Sequence, residues 1–333
     1  MAAPLRWGVL GAANIAVRTV IPAIQRSGSG VVSAIASRDI GKAQRTAGTL
    51  GIERAYGSYE ALLEDPDIDA VYNPLPNHLH VPWTIRAMEA GKHVLCEKPI
   101  ALSAPEARSL LAVRDRTGRQ VCEAFMVRSH PQWRTVRAII ASGRIGTLRL
   151  ITGHFSYYRV DPDDVRSRAE WGGGALMDIG CYPIMVSRWL FGAQPQSVVA
   201  QYELDPVLRV DRLGCALLRF PDGQASFSFS GQLVPHQRMQ IFGTTGRIDI
   251  VIPFNAPSAK PTLVRVDDGR EPGALGESVE VAAADQYVLQ ADAFAAAIRG
   301  DGEMPMSLED SIANMAVIDA VVRSVSSGRW ETP

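Results

Sequence analysis

Gly8-Val9-Leu10-Gly11-Ala12-Ala13-Asn14-Ile15-Ala16 is the stretch on which the fold turns. Before it, Leu5 to Leu10 is a short apolar run that reads as a strand; after it, Ile15 to Gln25 reads as a helix. A tight strand-to-helix turn this early in the chain is where a dinucleotide-binding fold cradles a pyrophosphate. Against the pattern G-x-G-x-x-G/A, the matching positions are Gly11, Ala13 and Ala16. Gly11 supplies the turn, Ala13 is small enough to let backbone approach a phosphate, and Ala16 lets the helix lie close to the strand. Together with Ala12, Asn14 and Ile15 they form the candidate phosphate turn, backed by the free amides and positive dipole end of the helix. The middle glycine of the pattern is replaced here, and an ordinary βα turn would read the same, so the rest of the chain has to decide.

Working outward, strands at Val31 to Ser37, Ala70 to Tyr72, His93 to Cys96 and Gln120 to Glu123 alternate with helices at Gly41 to Leu50, Ser58 to Leu63, Val81 to Ala90 and Ala104 to Thr117. Crossovers of helical length imply a parallel sheet with helices on both faces. Beyond residue 124 the grammar changes. Helices over Pro131 to Ser142 and Gly174 to Phe191 flank a strand at Leu148 to Tyr158. Four strands with little helix between them follow, at Gln196 to Leu204, Arg212 to Arg219, Ala225 to Leu233 and Arg238 to Gly243. This half reads as an antiparallel or mixed sheet. Residues 255–276, rich in Pro, Gly and Asp, read as a surface loop or edge hairpin. Two helices, Gln286 to Arg299 and Leu308 to Val325, finish the chain. The expected fold class is α/β, with domains over 1–124 and 125–333.

Composition narrows the function. The chain has 333 residues, 47% hydrophobic and 21% charged, with a formal net charge of −1, which leaves no electrostatic footprint for nucleic acid. Its apolar runs fall far short of the roughly 18 residues of a membrane-spanning helix. The start of the chain lacks a basic segment leading into an uninterrupted apolar one, so a signal peptide is not expected. Four cysteines without CxxC spacing fit a reducing cytoplasm.

The second strand ends in Ser37-Arg38-Asp39, about twenty residues past the turn, where an acidic side chain would hold the ribose 2′-hydroxyl of NAD. Here Ser37 and Arg38 come first, and Lys42 follows one helical turn later. A guanidinium fork suits a phosphate better than a diol, so NADP(H) is the expected cofactor. NAD(H) stays open, with Asp39 as the ribose ligand.

Gly91-Lys92-His93-Val94-Leu95-Cys96-Glu97-Lys98-Pro99 resembles the A-G-K-H-V-x-x-E-K-P signature of the Gfo/Idh/MocA oxidoreductases. Asn73-Pro74-Leu75-Pro76-Asn77-His78-Leu79-His80 is similar to the family's segment beneath the nicotinamide ribose, with Asn77 and His80 at matching positions. Gly172-Gly173-Gly174-Ala175-Leu176-Met177-Asp178-Ile179-Gly180-Cys181-Tyr182 resembles its substrate-site helix, and Phe242-Gly243-Thr244-Thr245-Gly246 a later strand-turn. The resemblance implies an N-terminal Rossmann domain and a C-terminal α+β domain with a large open, mainly antiparallel sheet. The exposed face of that sheet would join a homodimer or homotetramer. Leu75, Asn77, His80, Glu97, Lys98 and Arg128 would line the cofactor.

Hydride transfer to a nicotinamide requires a group that takes or supplies the hydroxyl proton. Tyr182 is the candidate. A free tyrosine has a pKa of about 10 and needs a nearby cation, for which Lys98 is the natural supplier. The resemblance also implies a cis Lys98–Pro99 bond. Asp178 and Tyr182, four apart on an expected helix, share one face. Asp178 would orient a substrate hydroxyl, and Trp171 would stack on a sugar ring. Each has a plainer structural reading: Trp171 as packing, Arg128 in a salt bridge, Asp178 as a local cap. His78 and His80 have metal-like spacing without a completing ligand, so no metal is expected. The expected activity is NADP(H)-dependent hydride exchange with a carbinol or carbonyl carbon of a sugar, an aldose or keto-sugar. The resemblance places Tyr182 in the family's D-x-x-x-Y/H slot, where the inositol dehydrogenase branch has histidine, which implies a substrate other than inositol. The alternatives are a cyclic-diol dehydrogenase of the trans-dihydrodiol type and a non-catalytic NADP-sensing regulator.

Overall fold

The apolar runs near the N-terminus pair in parallel. In the computed structural model, which describes residues 3–271 and 275–333, β1 (Leu5–Leu10), β2 (Gly30–Ala36), β3 (Arg54–Tyr56), β4 (Ala70–Asn73), β5 (His93–Cys96) and β6 (Val121–Glu123) form one sheet. Its order is β3-β2-β1-β4-β5-β6. That is the doubly wound Rossmann order, whose direction reverses between β1 and β4. The strands are buried on both faces, with Trp7, Val9, Ile35, Tyr72 and Val94 fully enclosed, as helices on either side require. The crossovers are α1 (Ile21–Arg26), α2 (Ile40–Leu50), α3 (Tyr59–Leu63), α4 (His80–Glu89) and α5 (Ala104–Thr117). Side chains of Asp39, Ser58 and Ser103 cap the starts of α2, α3 and α5. A π-helical turn, Ala16–Val20, precedes α1. β3 was not expected; it is three residues long and half-buried, too short to show an apolar pattern.

After α6 (Pro131–Ala141), the strands β7 (Leu148–Tyr158), β8 (Ser197–Leu204), β9 (Asp211–Arg219), β10 (Gln224–Ser230), β11 (Gln232–Gly243), β12 (Arg247–Ile250), β13 (Thr262–Asp267) and β14 (Glu277–Val281) build a second sheet, with α7 (Cys181–Phe191) inserted between β7 and β8. The order is β14-β13-β12-β11-β7-β10-β9-β8. Every pairing is antiparallel except that of β7 with β10. The run expected as one strand from Ala225 to Leu233 breaks at Gly231, and β12 and β14 were not expected. Residues 255–276, expected as a loop or edge hairpin, contain β13, which pairs with β14 at the sheet edge; residues 272–274 lie outside the described residues. One face of this sheet is apolar, with Ile151, Phe155, Phe229, Met239 and Ile241 buried. α7 lies on β7 at Gly153, where an added Cβ would meet Pro183 Cβ at 3.4 Å. The opposite face is polar; there His154 Nδ1 bonds Ser228 Oγ at 2.7 Å.

The chain divides into two compact units, one running to Ser129 and resuming over Asp285–Ile312, the other spanning His130–Ala284 and resuming at Ala313. The expected division at 124, with everything beyond it in the second domain, differs from this. The chain returns to the first unit through α8 (Gln286–Arg299), capped by Asp285, whose Phe294 ring lies 5.2 Å from Trp7. A return of this kind depends on contacts far apart in sequence, which local pattern does not record. The unit boundary then runs through α9 (Leu308–Ser327). No disulfide joins cysteines among the described residues. Among the described residues no helix is long and apolar enough to cross a membrane, and no group of three or more His, Cys, Asp or Glu side chains is placed to hold a metal ion.

Candidate active site

In the first unit, the turn after β1 needs its glycine. Gly11 has φ +90°, and a Cβ there would lie 3.1 Å from Leu75 Cδ2 and 3.6 Å from the Tyr59 hydroxyl. Two expected cofactor residues, Gly11 and Leu75, therefore meet, and Tyr59 joins them. Ala12, Ala13 and Ile15 are half-buried behind the turn and Asn14 is exposed. Arg38, exposed at the end of β2, reaches the Tyr59 hydroxyl and draws its pKa down against the larger, opposing effect of burial. Sequence reasoning missed Tyr59; its place at the start of a five-residue helix carries no motif. Asp39 turns toward its own helix, accepting the Lys42 amide at 3.0 Å, while Ser37 Oγ accepts the Asp39 amide at 3.2 Å. The Lys42 side chain is exposed on that first turn. The cradle that Gly11 leaves open, with cationic groups at Arg38 and Lys42, fits the phosphates of a dinucleotide.

The Gly91–Pro99 signature splits into two roles. Lys92 is structural: its ammonium is buried and donates to the carbonyls of Asp65 (2.6 Å) and Ile68 (2.8 Å). His93 Nδ1 accepts the Gln120 amide at 3.0 Å beside β6. The second half carries the expected cofactor and catalytic residues Glu97 and Lys98. Lys98–Pro99 is cis, and buried side chains hold the main chain around it. Glu123 Oε1 accepts the Ile100 amide at 2.8 Å, and Tyr72 donates to Glu97 Oε1 at 2.6 Å. His80 stands fully buried with Nδ1 2.7 Å from the Pro99 carbonyl and Nε2 2.7 Å from that of Leu75. Two carbonyls invite a doubly protonated ring, but burial pulls the His80 pKa down to about 4 against the pull of both. The neutral ring then donates to one carbonyl only. His80, expected as a cofactor contact, acts here on the backbone of both Leu75 and Pro99. Asn77 lies half-buried in the 3₁₀ turn just before α4. Arg128 forms an ion pair with Asp310, which is the structural reading of that residue.

In the second unit, a loop after β7 leads to a π-helical turn, Leu176–Gly180, that runs straight into α7. Asp178 sits in the π turn and Tyr182 in the first turn of α7. The four-residue spacing was read as one α-helical face, but a π turn carries an extra residue and alters that register. What brings the two together is β7. Asp178 Oδ2 accepts the Tyr157 hydroxyl at 2.7 Å and Arg166 Nε at 2.8 Å. The Tyr182 ring, buried, lies 5.9 Å from Phe155 and 5.3 Å from Phe254. Phe155 and Tyr157 are two apart on a strand and share a face. The Asp178 carboxylate in turn raises the Arg166 pKa. Trp171 is half-buried in a 3₁₀ turn with the Arg168 guanidinium 5.8 Å from its ring centre. Tyr157 and Arg166 had no signal in the sequence, because each meets Asp178 from outside its motif.

Comparison with known proteins bears on both units. Residues 5–125 match a model described as oxidoreductase family, NAD-binding Rossmann fold, and residues 133–249 match the GFO/IDH/MocA C-terminal domain. An uncharacterized oxidoreductase of Rhizobium meliloti is 48% identical, covering 98% of this chain and 99% of the relative. D-xylose 1-dehydrogenase (NADP(+)) 2 of Haloferax volcanii is 38% identical over 97% of this chain and 98% of its own. Among solved structures, a 3-ketoreductase from Actinomadura kijaniata in complex with NADP and TDP-benzene superposes with a TM-score of 0.90 at 35% identity, covering 97% of this chain and 98% of that one. With both models matched in order and relatives alike over nearly the whole length, the chain belongs to the Gfo/Idh/MocA family of oxidoreductases.

Proposed function

We propose that this oxidoreductase uses NADP(H) to exchange a hydride with a carbinol or carbonyl carbon of a sugar, with Tyr182 as general acid/base and Lys98 as its cationic partner. The observation that carries the proposal is the interval between Lys98 and Tyr182 along the chain. Solved variants of the A. kijaniata ketoreductase replace one tyrosine by phenylalanine and one lysine by alanine. The two are separated along that chain by the same interval as Lys98 and Tyr182 here, which supports equivalent roles. The bound nicotinamide would supply the hydride donor or acceptor. The chain's own work is to bind, orient and move a proton. Gly11, Leu75 and Arg38 would hold the dinucleotide; Asp178, anchored by Tyr157 and Arg166, would orient a substrate hydroxyl. In reduction the Tyr182 hydroxyl gives its proton to the carbonyl oxygen, and in oxidation it takes one from the carbinol. The Lys98 ammonium lowers the cost of the phenolate.

Preference for NADP(H) is supported by Asp39, whose carboxylate accepts its own helix amide, leaving Arg38 as the outward group at the end of β2. The sugar substrate is supported by relatives named for D-xylose and for a dTDP-linked keto-sugar. The test is a panel of aldoses, nucleotide-linked keto-sugars and cyclic diols, followed by NADPH absorbance with both coenzymes. Turnover of an aldose or keto-sugar, with kcat/KM at least about tenfold higher for the NADP couple, is the expected result. Turnover confined to cyclic diols overturns the sugar assignment. NADPH binding with no turnover across the panel overturns catalysis in favour of a sensor.

A further inference from the structure

Gly174 and Asp211 are fitted to each other in a way the reaction scheme leaves unused. Gly174 has φ +108°, and a Cβ on it would fall 2.0 Å from Asp211 Oδ1. With this backbone the position accepts no side chain while the Asp211 carboxylate stays where it is. Asp211 opens β9, and its other oxygen, Oδ2, accepts the amide of Leu176 at 2.6 Å; the Ala175 amide faces it as well. These are the first amides of the π turn that carries Asp178 and continues into the helix bearing Tyr182. A helix start leaves its first amides without intrahelical partners, so a carboxylate supplied from another strand fixes where the helix begins. Gly174 joins the same frame from the other side, donating its amide to the Arg166 carbonyl at 2.9 Å while its own carbonyl accepts the Asp178 amide at 3.1 Å.

We propose that Asp211 is a positioning residue for the reaction, seating the Leu176–Gly180 turn so that Asp178 and Tyr182 reach their working places; this rests on the assignment of Tyr182 as acid/base above. Asp211 touches neither reacting atoms nor cofactor in this role. Its charge is held at a cost. Burial, helped by the nearby Asp178 carboxylate, pushes the Asp211 pKa up to about 7, and the Leu176 and Ala175 amides pull against that rise.

The test compares Asp211→Ala, Asp211→Asn and Gly174→Ala with the wild type on whichever panel substrate is turned over. Three quantities are read: kcat, KM for NADPH, and hydrogen exchange of the peptide covering 174–186. Asp211→Ala is expected to lower kcat by about ten- to a hundredfold, the range that small misplacements produce, with KM for NADPH unchanged. Exchange of the Leu176 amide should accelerate by at least about tenfold. Asp211→Asn keeps an acceptor and is expected to restore kcat to within about fivefold of wild type. Gly174→Ala drives the carboxylate away while leaving it in the sequence. It should reproduce the loss seen in Asp211→Ala, and it serves in its place if the latter does not fold. Combining the two substitutions should cost less than the sum of each, because deleting the carboxylate makes room for the new methyl. Unchanged kcat and unchanged exchange in Asp211→Ala, or in Gly174→Ala, overturn the inference and leave the proposed function standing. A wild type that turns over nothing in the panel overturns the proposed function, and this inference with it.

Discussion

Around Lys98, the first unit works through the backbone. His80, Glu123 and their neighbours bond main-chain groups at Leu75, Pro99 and Ile100, so the path of the chain itself is what these side chains hold. In the second unit the hold is on side chains and on one helix start. Asp178 is gripped by a phenol and a guanidinium, and the turn beneath it by a carboxylate. The two designs respond differently to damage. Removing a buried side chain that satisfies an amide leaves that amide unpaired and shows up as lost stability. Loosening a charge pair on a helix start leaves the unit folded but the acting group misplaced, which shows up in rate.

The largest effect is expected at the proposed acid/base and its cationic partner. Lys98→Ala and Tyr182→Phe are each expected to lower kcat by about 10²- to 10⁴-fold, the usual contribution of a positioned acid or base. Steady-state kinetics with saturating NADPH measures this, and kcat left intact in both variants removes the proposed mechanism. Next comes His80, whose pKa of about 4 lies below the roughly 6.5 of an unfolded histidine. Because the folded state binds fewer protons between those two values, its stabilisation is fully present above about pH 6.5 and is lost as pH falls through about 4. From pH 7 to 4.5 the difference amounts to roughly 2 to 3 kcal/mol. Urea midpoints at both pH values should therefore converge in His80→Gln relative to wild type, and an equal pH dependence in the two proteins breaks the account of a buried neutral ring.

The contrast between the units is sharpened by a pair of holders. Glu123→Ala strands the buried Ile100 amide and is expected to cost about 1 to 3 kcal/mol of stability. Arg166→Ala removes the guanidinium that donates to Asp178 from a half-exposed position. It is expected to lower kcat about tenfold with little change in melting temperature. Thermal melts beside kinetics decide this. If Arg166→Ala loses stability and keeps kcat, the two units do not differ in the way described.

The same contrast explains what could be read from the sequence. The first unit was legible nearly to the strand because its candidate site residues lie at strand ends inside contiguous motifs: Gly11 after β1, Ser37 and Arg38 after β2, Leu75 after β4, Lys98 after β5. Parallel βαβ repetition makes local period and global topology agree. In the second unit the motif 172–182 announced Asp178 and Tyr182, but Tyr157 and Arg166, which hold Asp178, and Asp211, which holds the Leu176 amide, stand on another strand or loop, with no fixed spacing to betray them. The π turn was equally hidden, since its extra residue leaves the apolar pattern of α7 intact. β12 and the β13–β14 edge were missed in part because short strands on a half-polar sheet show little alternation. The C-terminal return of α8 depends on Phe294 meeting Trp7, a contact that pattern alone does not foresee.

The smallest expected effect tests the coenzyme end of the first unit, where sequence left two ligands open. Arg38→Ala should raise KM for NADPH about tenfold and leave KM for NADH nearly unchanged, since an exposed guanidinium contributes a single charge-assisted contact to a phosphate that only NADPH carries. Asp39→Asn is the matching control. Asparagine caps a helix as well as aspartate does, so with the carboxylate engaged by the Lys42 amide neither KM should move by more than about twofold. A KM for NADH that rises in Asp39→Asn, with NADPH unaffected in Arg38→Ala, assigns the ribose to Asp39. In that case the cap seen at α2 is a contact the coenzyme displaces, and the pocket at the end of β2 reads a diol rather than a phosphate.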